Sequence, residues 1–132
     1  MPTVSEAFQT IPTLVRDDAP LLHRLRHFTG QLSVAAGEER WFLPFAGGEP
    51  GEAIAAGTVL QQAAVSFNAA PEVWLSHWLP VPPAPDHDLF GLAKSKKMRI
   101  DGDMTVYMQQ LQNIKDVLAK PRALFTLSLI HI

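Results

Sequence analysis

Apolar positions along the first quarter of the chain recur at steps of three and four. Val4, Phe8 and Ile11, then Leu21, Leu22 and Leu25, predict two helical pieces within residues 3–27, with breaks at Pro12 and Pro20. Asp18 stands two residues before Pro20, where a carboxylate caps a helix start. After Gly30 the period changes to two. Leu32, Val34 and Ala36 alternate with Ser33 and Ala35, Gly37-Glu38-Glu39 turns the chain, and Arg40 to Phe45 returns, which predicts a hairpin. Gly47 to Glu52 reads as a second turn, Glu52 to Ala56 as a short strand, and Ala63 to Phe67 as a better one.

Pro71 and Glu72 then mark a helix start, with Val73, Trp74, Trp78 and Leu75 on its apolar side. Leu79 to Pro85 holds four prolines and predicts a stiff connector. Asp86 or Asp88 is placed to cap a short helix running through Lys94, Met98 to Ile100 suits a strand, and Asp101-Gly102-Asp103 leads into the last helix. From Met104 to Ala119 the residues Met104, Tyr107, Met108, Leu111, Ile114 and Leu118 share one helical face, and Pro121 closes the run. This order predicts an α+β domain with one sheet covered on one face.

Composition narrows the class. The 132 residues fit one domain, and 47% hydrophobic against 18% charged residues excludes global disorder. A net charge of −2 lacks the electrostatic footprint of a nucleic-acid binder. With no cysteine there is neither thiol catalysis nor a cysteine metal site, and the cytoplasm is permitted. No secretory signal is visible, and the longest uncharged stretch, Ala53 to Ala70, carries too many polar residues to span a membrane. Four basic and ten acidic residues lie in 1–88, seven basic and three acidic in 89–132, with Lys94, Lys96, Lys97 and Arg99 clustered as either a solvated loop face or a surface for anionic lipid.

Catalytic material is sparse. His23 and His27 share a helix face at metal-site spacing, but Arg24 and Arg26 lie between them and no third ligand is evident, so neither a metal nor a cofactor is expected. Asp86-His87-Asp88 sets carboxylates beside an imidazole, which serves either general base catalysis or helix capping. No nucleophile elbow, phosphate loop or dinucleotide fingerprint occurs. What is plentiful is broad, adaptable apolar side chains late in the sequence, which either line an apolar pocket or fill a core.

The run Ala64 to Trp74, followed by Leu79-Pro80-Val81-Pro82-Pro83 and by Met98-Arg99-Ile100-Asp101-Gly102-Asp103-Met104, resembles the sterol carrier protein type two family. The resemblance covers roughly residues 28–122, after an N-terminal helical segment at 1–27. It implies a five-stranded mixed sheet, helices over one face and an apolar tunnel between them that binds sterols, fatty acyl chains or similar lipids without changing them. The approximate carry-over to this chain makes Trp74, Trp78, Phe90, Met104, Met108 and Leu111 the candidate lining. Burial of a lipid chain gains about 0.8 kcal/mol per methylene, so such a slot needs no catalytic residue. A second resemblance runs through Asp86-His87-Asp88-Leu89, Gly102-Asp103 and Asn113 to Arg122, toward bacterial proteins in which a carrier-like domain precedes an α/β-hydrolase. It implies an accessory, substrate-presenting domain whose partner is a C-terminal catalytic domain.

The last six residues, Leu127 to Ile132, translate CTG TCT CTT ATA CAC ATC, a transposon end used in preparing sequencing libraries. They are expected to be adapter, with 123–126 a truncated linker and the chain a cut-off metagenomic reading frame, bacterial in origin, that continues beyond Thr126.

Overall fold

The computed structural model describes residues 3–55, 63–79, 82 and 88–125. Two helices open the chain, α1 (Val4–Arg16) and α2 (Ala19–Leu25), followed by strands β1 (Gly30–Ala36), β2 (Glu39–Ala46), β3 (Glu49–Pro50), β4 (Ile54–Ala55) and β5 (Val65–Ala69). Then come α3 (Pro71–His77), α4 (Leu89–Lys94), β6 (Met98–Gly102), α5 (Met104–Gln109) and α6 (Leu111–Ala119). The sheet runs β3-β2-β1-β5-β6, with β4 also paired to β2. β3 and β4 share the same edge of β2, at Phe45–Ala46 and at Trp41–Phe42, so six strands make five rungs. β1 and β5 are parallel and the remaining pairs antiparallel, which makes the sheet mixed, as the resemblance to the sterol carrier family implied.

Strand periodicity sorts the two faces. Leu32 and Val34 of β1, Leu43 and Phe45 of β2, Val65 and Phe67 of β5 and Met98 of β6 join the buried cluster with the helices. The intervening residues line the other face, where Ala35 and Phe42 are buried and Arg40 donates to Ser33 Oγ at 2.9 Å and to Asn68 Oδ1 at 2.8 Å. Segment 1–27 feeds the same core as segment 28–122, through Phe8, Ile11, Leu21 and Leu25.

Three sequence expectations shift. α1 does not break at Pro12 but crosses it. The ring forfeits one helical hydrogen bond, yet Ala7, Phe8, Ile11 and Val15 are fully buried on both sides of it and hold the helix. β5 begins at Val65, two residues later than its hydrophobic run predicted, because its register is fixed by Leu32 opposite Val65 and Val65 opposite Gly102. The final helix is two helices. It breaks at Gln110 (φ −107°, ψ 16°), whose side chain accepts from Asn113 Nδ2 at 2.8 Å. The helix-capping role expected of Asp18 is present, with its carboxylate accepting from the Leu21 N–H at 3.1 Å. The proline connector apart from Leu79 and Pro82, together with Asp86, His87 and the segment 126–132, lies outside the described residues.

Two glycines are required by geometry. Gly102 has φ +123°, and a Cβ there would stand 2.3 Å from the Ala64 carbonyl oxygen. Asp103, next in line, caps α5 by accepting from Thr105 and Val106, so the step from β6 into α5 is set by these two residues. Gly48 (φ +84°) presses against the Leu25 carbonyl, where a Cβ would stand 2.6 Å away.

Candidate functional site

The layer between sheet and helices is built around aromatic side chains. α3 starts at Pro71, with Glu72 in its first turn, and presents Trp74 and Trp78 one helical turn apart. Both indoles are fully buried. Phe8 from α1 meets Trp74 edge-on at 5.1 Å and Trp78 at 5.5 Å, and Phe125, from a helical turn at 122–125, stacks on Trp78 at 5.9 Å. Each indole N–H has an acceptor: Trp74 Nε1 donates to Ala35 O at 2.9 Å and Trp78 Nε1 to Leu118 O at 2.8 Å. Their polar edges are therefore satisfied inside the layer.

α5 closes the layer beside β5. Tyr107 is its one buried residue and meets Phe67 edge-on at 5.9 Å. Burial raises the Tyr107 hydroxyl above the ordinary phenol value, and the nearby Asp88 charge adds to this. Met104 and Met108 project outward, 46% and 57% exposed, and Leu111 is half-buried just past the break. By contrast α6 is anchored by Ile114, Val117 and Leu118, all fully buried.

The outer side of α6 is charged. Arg24 pairs with Asp116 at 2.7 Å, Lys115 with Asp88 at 2.9 Å, and Lys120 with Asp18. Arg122 donates from Nη2 to the His77 carbonyl at 2.6 Å, and burial lowers its guanidinium pKa. An open concavity of about 650 Å³ lies here, lined by Asp18, Arg24, Asp116, Ala119, Lys120, Arg122 and Ala123. Two of its cations, Arg24 and Lys120, already face carboxylates.

Of the six lining residues named from sequence, Trp74 and Trp78 stand together in the aromatic layer, while Met104 and Met108 stand together on the outer face of α5, with Leu111 between the two settings. Phe90 belongs to α4, and its side chain lies outside the described set. Phe8, Tyr107 and Phe125 are not among the residues singled out as lining. The helical spacing of Phe8 with Ile11, and of Tyr107 with Leu111, marks them as apolar-face residues, but their contacts with Trp74 and Phe67 join distant parts of the sequence. His23 and His27 are exposed, and no group of three metal-ligating side chains forms among the described residues. No helix among them is long and apolar enough to cross a membrane.

No protein-family profile and no curated protein matches the sequence. Solved structures do share its architecture. A crystal structure of sterol carrier protein 2 superposes with a TM-score of 0.69 at 13% identity, covering 88% of this chain and 93% of that one. A conserved protein from Thermus thermophilus, described as a candidate sterol carrier protein, gives 0.67 at 10% identity, over 93% and 89%. The inverting sec-alkylsulfatase Pisa1 from a Pseudomonas species gives 0.51 at 13% identity, matching 74% of this chain to 13% of its own length. The chain thus has the sterol carrier protein type two fold, reached at sequence identities that carry architecture alone.

Proposed function

We propose that this domain binds an apolar lipid, a fatty acyl chain or a sterol-like molecule, without chemical change, in the layer between sheet and helices. The observation that carries the reading is α5: a six-residue helix with Tyr107 as its one fully buried residue, Val106 partly buried beside it and two methionines open to solvent, at the rim of that layer. An element with so little buried surface opens at low cost, and a flexible thioether adapts to chains of varied shape. Met104, Met108 and Leu111 would form the mouth, and Trp74, Trp78 and Phe90 the inner wall. The ligand would enter as Tyr107 swings off Phe67, so the pocket forms on binding. The cytoplasm is the compartment that the cysteine-free sequence permits.

Native mass spectrometry of the 132-residue chain purified from bacteria tests this. A lipid-sized mass that leaves on gentle activation is expected. A clean apo mass, together with failure of a fluorescent fatty acid to bind, would remove the proposal.

A second reading has its own observation, the match to a small part of an alkylsulfatase, 13% of that chain. On it the domain is an accessory unit of a longer enzyme, docked by exposed apolar residues such as Leu75 (38% exposed) and Leu79 (43%) of α3 and the turn after it. An apo mass accompanied by strong 8-anilinonaphthalene-sulfonate fluorescence would favour this reading over the first.

A further inference from the structure

The two edges of the sheet are treated differently. One edge consists of the two-residue strands β3 and β4, the first containing Pro50, and short strands and proline are the usual means of blunting an edge. The other is β6, five residues long, and among the described residues no strand pairs with its outer side. We propose that this edge is a self-recognition surface: two copies of the chain pair through β6, antiparallel and two-fold symmetric about Ile100.

The ladder phase puts the required groups outward. Asp103 N–H donates to Ala64 O at 2.8 Å, and hydrogen-bonded pairs alternate along an antiparallel ladder. Asp101 with Ser66 and Arg99 with Asn68 are therefore the bonded pairs facing β5. The N–H and C=O of Met98 and Ile100 face away from it. In a two-fold pairing about Ile100, the two Ile100 residues exchange both backbone hydrogen bonds. The half-buried Ile100 side chains then cover one another on the helix side.

The side chains supply register. Lys97 and Arg99 precede Ile100, while Asp101 and Asp103 follow it at the mirrored positions. A second copy running antiparallel sets Arg99 opposite Asp101, and Lys97 opposite Asp103, twice each. Arg99 and Asp101 would occupy the non-hydrogen-bonded positions, where facing side chains come closest. In the single chain Arg99 Nε contacts its own Asp101 Oδ2 at 2.7 Å, with side chains 80% and 47% exposed, so both charges are available on the open polar face. Protective edge charge repels an approaching copy of itself. Here the charge changes sign across the strand centre, so an antiparallel copy is attracted and a slipped one is not. An edge of five residues is a small interface, and the dimer is accordingly weak and concentration-dependent.

Sedimentation of the full chain over a micromolar-to-millimolar dilution series is the test. The mass is expected to rise from the 14.5 kDa monomer toward twice that value, and to fall back in high salt. Arg99→Asp alone and Asp101→Arg alone should each weaken association at least about tenfold through facing like charges. An equimolar mixture of the two variants should restore it as a mixed species, because each unlike pair is regained. Circular dichroism checks that both variants fold. Ile100→Pro, which deletes one outward N–H, should also give the monomer. A chain that stays monomeric throughout, single reversals that dimerise like the parent, or a mixture that remains monomeric would each overturn the proposal.

Discussion

Trp74 and Trp78 on α3 and Met104 and Met108 on α5 are two pairs of broad apolar side chains, each spaced one helical turn apart. Their fates are opposite. The tryptophans are sealed at 0% exposure under Phe8, with both indole N–H groups bonded, whereas the methionines stand about half open. Helical spacing decides which residues share a face; it does not decide what covers that face. For α3 the cover is α1, whose Phe8 reaches both indoles. For α5 the break at Gln110 decides the outcome, because a helix unbroken from Met104 to Ala119 would point its whole stripe, methionines included, the way Ile114 and Leu118 point. The difference separates a filled aromatic core from an apolar edge left open to solvent.

The strongest way to break the comparison is to empty the sealed side. Trp78→Ala removes contacts to Phe8, Trp74 and Phe125 and strands the Leu118 carbonyl, so a loss of about 3–5 kcal/mol in urea unfolding is expected. A loss below about 1 kcal/mol would mean that the layer is loosely filled. The open side should behave in reverse. Met108→Asp, at a residue 57% exposed, should leave stability within about 0.5 kcal/mol. The same change should weaken binding of a fluorescent fatty acid at least about tenfold, or about 1.4 kcal/mol. Unchanged binding would take Met108 out of the mouth.

A subtler measurement asks whether the sealed side acts as one unit. Phe8→Ala and Trp78→Ala combined should cost less than the sum of the two alone, with a coupling of about 0.5–1.5 kcal/mol for an edge-on aromatic pair. Urea unfolding of all four proteins in the cycle checks it. Additive losses would show that α1 is held by its aliphatic stripe instead.

Much of the fold was legible because the chemistry that sets it is local. Gly37 between alternating strands, Pro71 at a helix start, and Asp18 and Asp103 as caps each determine their own conformation through neighbours in the sequence. What was not legible depends on distant residues. Pro12 is crossed because the apolar stripe around it has a core to enter, and Gln110 breaks a well-patterned helix where α5 and α6 meet different surfaces. The candidate site divides on the same line. Spacing grouped Trp74 with Trp78 and Met104 with Met108, but the long-range contacts of Phe8 and Phe125 were needed to tell core from rim.

The smallest expected effect sharpens the contrast from the anchored end. Asp18 caps α2 and pairs with Lys120 just after α6, tying the first helices to the last. The Lys120 hydrogen bond, then the Leu21 N–H, hold its carboxyl below the ordinary aspartate range. A group whose folded pKa is depressed stabilises the fold above its unfolded value and loses that contribution as the pH falls through the folded one. Melting temperature should therefore decline on acidification into and below the usual carboxylate range, with Asp18 supplying part of the slope. Asp18→Asn keeps a competent cap but loses the charge pair, so its melting curve should be flatter with pH while its neutral-pH stability falls only slightly. Lipid affinity should not move, since Asp18 lies on the charged outer side of α6 and not at the methionine rim. A loss of lipid binding in this variant would shift the ligand toward the concavity beside Arg24, Lys120 and Arg122, and away from α5.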